Sequence, residues 1–110
     1  MYKLLIADDD EIICRGIGKC IDWESHRIQV IGMVYDGEMA LKEVREKRPD
    51  IVIVDINMPF MDGIEFSCVV RQEFPWIKII LLTAYKEFEY AQKAVQMQAI
   101  SQSLLTIRRS

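Results

Sequence analysis

The run from Ile51 to Asp55 restricts the possible folds of this chain more than any other stretch. Four β-branched apolar residues follow one another from Ile51 to Val54, as in a strand that is buried on both faces of a parallel sheet. Asp55 ends the run, and Pro59 disfavours continuation of either a strand or a helix. The sequence therefore predicts a central buried strand with a carboxylate at its C-terminal end.

Short apolar runs of this kind alternate with helical patterns along the chain. The predicted strands are Lys3–Ala7, Ile28–Tyr35, Ile51–Asp55 and Lys78–Leu82. Alternation of strands and helices is typical of a parallel sheet with helices on both faces, because right-handed crossovers place them there. We therefore expect one α/β domain with a doubly wound parallel sheet.

Helices are predicted between these strands, and aspartates at Asp10, Asp36 and Asp62 are expected to cap them. The residues expected to face the core are Ile13, Ile17 and Ile21 in the first helix, Ala40, Leu41 and Val44 in the second, and Ile64, Cys68 and Val69 in the third. A further helical stripe contains Phe88, Ala91 and Val95.

Composition excludes several classes of function. The net charge of −3 and pI of about 5.1 argue against nucleic-acid binding by this segment, which needs a basic surface. The apolar runs are too short to span a membrane, and the N-terminus has no signal-peptide pattern, so a cytoplasmic location is expected. The three cysteines form no C-x-x-C pair and are interpreted as small buried apolar residues of a reducing compartment.

Polar side chains follow three of the predicted strands. Asp8 and Asp9 follow the first strand, Asp55 ends the central one, and Thr83 follows the last. The C-terminal ends of parallel strands meet at one edge of a sheet, where ligands bind. Taken alone, Asp55 is a helix cap, a metal ligand or a nucleophile, although a cap is badly placed there since the next helix begins near Asp62.

A cluster of carboxylates at this edge favours a divalent cation. Adjacent carboxylates repel one another unless a cation neutralises them, and Mg²⁺ suits a site of one or two carboxylates with phosphate oxygens. With Mg²⁺ present, Asp55 can attack phosphorus and form an aspartyl phosphate. The hydroxyl of Thr83 can donate a hydrogen bond to a phosphoryl oxygen.

The chain resembles the receiver domains of two-component response regulators. The resemblance covers about residues 2 to 99 and depends on LLIADDDEII, DINMPFMDG and IILLTAY, in that order. It implies a flavodoxin-like fold with a five-stranded sheet in the order 2-1-3-4-5. It also implies that Asp55 is the phosphoacceptor, that Asp8, Asp9 and Asp55 bind Mg²⁺ with the main-chain carbonyl of Asn57, and that Thr83 is the switch hydroxyl.

The same resemblance implies partners. A sensor histidine kinase would phosphorylate the domain, and transcription would be controlled through an output domain. The segments IDWESHRIQVIGMVYDGEMAL and YKEFEYAQKAV are similar to the subgroup whose receivers precede an AraC-type helix-turn-helix domain. No such domain lies within these 110 residues, so DNA contact is expected only through a C-terminal domain that is missing here.

The C-terminal part, from about residue 98, departs from the family pattern. Gln98 stands where the family has a glycine, and no Lys-Pro pair follows the predicted fifth strand at Leu104-Leu105. We expect residues 1–110 to form one receiver domain without its final helix.

An alternative function is a receiver-like interaction module with an impaired phosphorylation switch. Apolar surface uncovered by the missing helix predicts a homodimer.

An enzymatic function is disfavoured. Phosphatases that use an aspartyl nucleophile on a similar sheet usually carry a second acid two residues later, and this chain has Asn57 at that position. No P-loop and no G-x-G-x-x-G motif supports a nucleotide-dependent enzyme. We therefore expect a signalling domain.

Overall fold

The alternation of strands and helices predicted from the sequence is confirmed. The structure is a computed structural model that describes residues 1–84 and the backbone of 104–109. Its elements are strand β1 (Tyr2–Ala7), helix α1 (Glu11–Cys20), a 3₁₀ turn (Trp23–His26), strand β2 (Ile28–Val34), helix α2 (Gly37–Lys47), strand β3 (Ile51–Asp55), helix α3 (Gly63–Glu73), strand β4 (Lys78–Ala84) and strand β5 (Leu104–Arg109).

The strands form one parallel sheet in the order β2-β1-β3-β4-β5, as predicted. Strand β3 is central, with Ala7 of β1 beside Val54 and Leu82 of β4 beside Asp55. Strand β5 pairs with β4 from Leu104 onward, so the fifth strand lies where the sequence predicts it. This order brings the C-terminal ends of β1, β3 and β4 next to one another.

One irregularity interrupts the pairing of β1 with the edge strand β2. Leu4 pairs with Val30, but the next residue, Leu5, pairs with Gly32. Ile31 is therefore an extra residue in β2, which is a β-bulge, and such bulges are rare between parallel strands.

The core has two parts, one on each face of the sheet. The larger part packs the sheet against α2 and α3, and the smaller one packs it against α1. Central residues of the larger part are Leu5, Val44, Val52, Val54, Phe66, Val70, Ile79 and Leu81. The smaller part consists of Leu4, Ile6, Cys14 and Ile53, with partly buried residues such as Ile17 and Trp23 around it.

Each of the three described α-helices begins after an aspartate that caps it. Oδ1 of Asp10 accepts a hydrogen bond from the main-chain N–H of Ile12, at 2.9 Å. Asp36 and Asp62 cap α2 and α3 in the same way. The capping role predicted for all three aspartates is therefore confirmed, and it satisfies N–H groups that have no partner within a helix.

Two predictions about core faces were wrong in part. Helix α1 ends at Cys20, so Ile21 lies beyond it in extended conformation and is exposed. In α3 the buried side chains include Phe66 and Val70, which the sequence interpretation did not select. The predicted Cys68 and Val69 are only partly buried at the margin of the same core. The helix has a wider apolar face than one stripe, because it packs on both the sheet and α2.

The prediction that the cysteines are small buried residues holds only for Cys14. All three are free thiols, as expected. Cys14 is fully buried, whereas Cys20 is exposed at the end of α1 and Cys68 is partly buried on α3.

The predicted helix with Phe88, Ala91 and Val95 lies outside the described residues, as do Gln98 and most of the atypical C-terminal part. Within the described part of the chain, no helix is both long and apolar enough to cross a lipid bilayer.

Candidate functional site: a cluster of carboxylates at the sheet edge

Three aspartates from two neighbouring strands meet at the C-terminal edge of the sheet. Asp8 and Asp9 follow β1, and Asp55 is the last residue of β3. One carboxylate oxygen from each of the three lies within 4.8 Å of the others. Asp8 and Asp55 are buried, with 0% and 1% of their surface exposed, whereas Asp9 is exposed. The convergence expected from the strand ends is therefore present.

The buried Asp8 is held by contacts from three directions. Its main-chain N–H donates to the carbonyl oxygen of Val34 at the end of β2, at 3.0 Å. Its Oδ1 accepts a hydrogen bond from the N–H of Asp10, at 2.9 Å. Its main-chain carbonyl lies 3.5 Å from the sulfur of Cys14, which donates to it. These contacts join the acid to β2 and to α1.

The thiol of Cys14 is a protonated donor at neutral pH. It is fully buried, and this burial, together with the negative charge of Asp8, raises the pKa of the thiol from 9.0 to about 11.

The main chain around Asp55 is fixed by the close approach of α3. The N–H of Gly63, the first residue of α3, donates to the carbonyl of Ile56 at 2.9 Å. A Cβ atom on Gly63 would lie 2.4 Å from the carbonyl oxygen of Asp55, which is too close for any side chain. Glycine at position 63 therefore allows the loop to fold back onto the strand that carries Asp55.

The loop between Asp55 and α3 contains a tight turn. The N–H of Met61 donates to the carbonyl of Pro59 at 2.8 Å, and Phe60 between them has a φ of 71°. A hydrogen bond from residue i+2 to residue i around a positive φ is the pattern of a classic γ-turn, which is strained for any residue other than glycine. Phe60 is 79% exposed.

The same loop also packs against the start of α2. A Cβ atom on Gly37 would lie 2.0 Å from the carbonyl oxygen of Met61. The first turn of α2 and the loop that follows Asp55 are therefore in direct main-chain contact.

Thr83 lies near the end of β4, one residue beyond Leu82, the neighbour of Asp55 in the sheet. It is fully buried, and within the described part of the chain its hydroxyl oxygen has no hydrogen-bond partner. A buried hydroxyl in this condition is uncommon and can bond a ligand oxygen. Asn57 lies two residues after Asp55 in the same loop and is exposed.

The donor set fits a hard divalent cation. Three carboxylates offer oxygen ligands only, and two of them are shielded from water, which strengthens their mutual repulsion in the absence of a cation. Mg²⁺ prefers such oxygen ligands and retains several waters, so the exposed side of Asp9 does not disqualify the site.

The sequence interpretation selected the acids but not the residues that hold them. Cys14 was treated only as a small apolar residue, although its position four residues after the helix cap Asp10 places it on the first turn of α1. Gly63 lies in the DINMPFMDG motif, but nothing in the sequence marks its close approach to Asp55. A phenylalanine between Pro59 and Met61 gives no sequence signal for a positive φ.

The comparisons with known proteins agree on one family. The sequence profile described as the response regulator receiver domain matches residues 4–102. A curated relative, the uncharacterized transcriptional regulatory protein YesN of Bacillus subtilis (strain 168), is 42% identical over 96 residues, which are 87% of this chain and 26% of the relative. The first curated relatives are much longer, and this chain spans between 26% and 49% of their length.

Solved structures resemble this fold closely. The receiver domain of AraT, a response regulator from Geobacillus stearothermophilus, is 39% identical with a TM-score of 0.84, over 96% of this chain and 80% of that one. A two-component transcriptional regulator AraC from Clostridium phytofermentans ISDg is 25% identical with a TM-score of 0.86, over 99% of this chain and 81% of that one.

Proposed function

Since this chain belongs to the family of response regulator receiver domains, we propose that it accepts a phosphoryl group on Asp55 from a sensor histidine kinase. An oxygen of the Asp55 carboxylate attacks phosphorus, the new O–P bond forms as the N–P bond of the phosphohistidine breaks, and the imidazole leaves with a proton. The observation that carries the proposal is the position of Asp55, buried at the sheet edge with its carboxylate beside those of Asp8 and Asp9. Members of this family are signalling modules rather than typical enzymes.

We propose that Asp8, Asp9 and Asp55 hold Mg²⁺ together with the main-chain carbonyl of Asn57. When bound, Mg²⁺ neutralises the carboxylates and the incoming phosphoryl oxygens, so that two negatively charged groups can approach each other. The mutual closeness of the three carboxylates supports this assignment. The role of Asn57 comes from the family resemblance and stays a prediction.

Thr83 is proposed as the switch hydroxyl. Its buried hydroxyl, without a partner among the described residues, is suited to donate a hydrogen bond to a phosphoryl oxygen on Asp55. A phosphoryl group shifts the domain between two states only through contacts that differ between them, and a hydroxyl that gains a partner is such a contact.

The output is proposed to be control of transcription in the cytoplasm. Several relatives are named as transcriptional regulatory proteins, and all of the first curated relatives extend well beyond the length of this chain. An AraC-type DNA-binding domain as the output domain is supported by the sequence resemblance and by the name of one structural neighbour. DNA contact would then be made outside the receiver domain.

A small phosphodonor tests the central proposal. The protein is incubated with acetyl phosphate and Mg²⁺, and its intact mass is measured. We expect one added phosphoryl group in the wild-type chain, none without Mg²⁺, and none in the Asp55→Asn variant. Asp62→Asn is a matched control, since Asp62 caps α3 at the other end of the same loop. Equal labelling of the wild-type and Asp55→Asn proteins would contradict the assignment.

A second candidate function is an interaction module that does not depend on phosphorylation. The departure of the sequence from the family pattern after Gln98, without a Lys-Pro pair, favours it. On this proposal residues 1–110 still form one receiver domain, but they self-associate whether or not Asp55 is phosphorylated. Sedimentation with and without beryllofluoride, a phosphoryl mimic, separates the two functions. A monomer that dimerises only with beryllofluoride contradicts the second.

A further inference from the structure

We propose that Cys14 is a positioning residue for the metal site, and that its thiol fixes the main chain of Asp8 by donating a hydrogen bond to the Asp8 carbonyl. This inference rests on the proposed function in that Asp8 is one of the three carboxylates assigned to Mg²⁺. It gives a function to a buried thiol that lies outside the cluster of acids itself.

The geometry places the thiol where β1, β2 and α1 meet. The sulfur of Cys14 lies 3.5 Å from the carbonyl oxygen of Asp8 and 3.9 Å from that of Val34. A thiol has one proton, and the shorter distance favours Asp8 as its acceptor. The carbonyl of Val34 already accepts the N–H of Asp8, at 3.0 Å. The thiol therefore adds a connection from α1 to the carbonyl of Asp8, the residue that β2 already holds by its N–H.

The surroundings of the sulfur suit a small side chain that combines apolar packing with a hydrogen-bond donor. Cys14 is fully buried in the smaller part of the core, with the apolar side chains of Leu4, Ile6 and Ile53. A thiol packs there as a small apolar group and still offers a weak hydrogen bond. This combination lets one residue fill the core under α1 and hold a polar segment at the sheet edge.

The consequence for the site follows from the position of Asp8 in the chain. Asp8 lies just beyond the last paired residue of β1, Ala7, so the pairing with β3 no longer fixes it. Its carboxylate is oriented by the N–H of Asp10, which belongs to the cap of α1. If the peptide of Asp8 moves relative to α1, the carboxylate moves with it. Groups that orient a metal ligand commonly affect metal affinity without contacting the metal.

Variants at position 14 separate the hydrogen bond from the packing. Cys14→Ser keeps a donor of similar size, whereas Cys14→Ala and Cys14→Val remove the donor, and valine keeps apolar volume. We expect both donor-free variants to bind Mg²⁺ roughly tenfold more weakly by calorimetric titration, the lower end of the effect of groups that support a metal ligand. Cys14→Ser keeps the donor and is expected to bind Mg²⁺ more tightly than either donor-free variant. The same substitutions at Cys68, a thiol on α3, serve as matched controls and are expected to leave Mg²⁺ affinity unchanged.

A second measurement does not use metal at all. Amide hydrogen exchange of Asp8 and Asp10, followed by NMR in metal-free protein, reports how firmly this segment is held. We expect faster exchange in Cys14→Ala and Cys14→Val than in the wild-type and Cys14→Ser proteins, relative to amides in the centre of β3.

The two measurements distinguish failure of this inference from failure of the proposed function. If the wild-type protein binds no Mg²⁺ but the exchange rates change as expected, the metal assignment is wrong and the positioning role of Cys14 stands. If exchange and Mg²⁺ affinity are the same in all folded variants, or if serine fails to restore them, Cys14 does not position Asp8.

Discussion

The carbonyl oxygen of Asp55 lies 2.4 Å from the position that a Cβ atom on Gly63 would occupy. The proposed phosphoacceptor and the first residue of α3 are thus in direct main-chain contact. Gly63 takes no part in the proposed chemistry, but the geometry of the site depends on its lack of a side chain.

Gly63→Ala is therefore expected to disturb the site. The added methyl group must push α3 away from Asp55, and we expect a loss of about 1–3 kcal/mol in the free energy of unfolding, as for overpacked cores. Phosphorylation by acetyl phosphate should also become slower. Urea unfolding and intact-mass measurements check the two effects.

Gly16→Ala is the control for this variant. Gly16 lies in α1, and a Cβ atom there would meet nothing within 4 Å. The same substitution should stabilise the chain by about 0.5–1 kcal/mol, because alanine has the higher helix propensity. If Gly63→Ala and Gly16→Ala have the same effect on the free energy of unfolding and on the phosphorylation rate, the close contact at Gly63 does not constrain the site.

Two adjacent acids are expected to differ in their roles. Asp9 belongs to the carboxylate cluster, whereas the side chain of Asp10 caps α1. Asp9→Ala should weaken Mg²⁺ binding strongly with little loss of stability. Asp10→Ala should cost about 1 kcal/mol of stability through loss of the cap, with a smaller effect on Mg²⁺. Metal titration and urea unfolding of both variants check this, and an equal loss of Mg²⁺ affinity would refute it.

Phe60 offers a test of backbone strain. Its φ of 71° is unfavourable for a residue with a Cβ atom, and the residue is mostly exposed, so truncation loses little packing. In ordinary positions alanine is more stable than glycine, but here we expect Phe60→Gly to be more stable than Phe60→Ala by about 1 kcal/mol. Thermal unfolding of the pair provides the measurement. The opposite order would mean that the turn is unstrained.

The ion pair between Arg45 and Glu73 predicts a pH dependence. Two hydrogen bonds, at 3.0 and 2.6 Å, join α2 to α3, and the hydrogen bond from Arg45 lowers the pKa of Glu73 below its ordinary value of 4.5. A lowered folded-state pKa stabilises the fold above the ordinary pKa, and this stabilisation is lost as the pH falls through the lower folded value.

Glu73→Gln is accordingly expected to lower the urea midpoint slightly at neutral pH and not at all in strong acid. The effect is small since water reaches both side chains and screens the ion pair. Comparison of the two proteins across the acid range checks the prediction. If the difference in urea midpoint between the wild-type and Glu73→Gln proteins stays constant down to strong acid, the prediction is wrong.

The fold and the acids of the site were predictable from the sequence for a physical reason. Buried parallel strands require continuous apolar runs, and the acids at their ends are adjacent in sequence to those runs, so the strand order alone brings Asp8, Asp9 and Asp55 together. The capping aspartates were predictable in the same way, because a cap acts on N–H groups only two or three residues away.

The supporting contacts were not predictable in this way, because they depend on distances between elements. Nothing local marks Cys14 as a donor to Asp8, since the contact requires the angle at which α1 crosses β1. Similarly, Gly63 is a common turn residue by sequence, and its closeness to Asp55 is set by the packing of α3. Phe66 and Val70 were missed because the width of the buried face of α3 depends on its contact with α2.

The extra residue in β2 has a consequence for how this sheet can grow. The edge strand Ile28–Val34 contains no charged residue and no proline, which are the usual means of preventing an exposed edge from pairing with another chain. The bulge at Ile31 interrupts the regular spacing of N–H and C=O groups along this edge and increases its twist. A strand of a second copy could not pair along the whole of β2. It would meet two short segments, one on each side of the bulge, whose hydrogen-bonding groups are out of register with each other. Fibre-like extension of the sheet at β2 is therefore disfavoured.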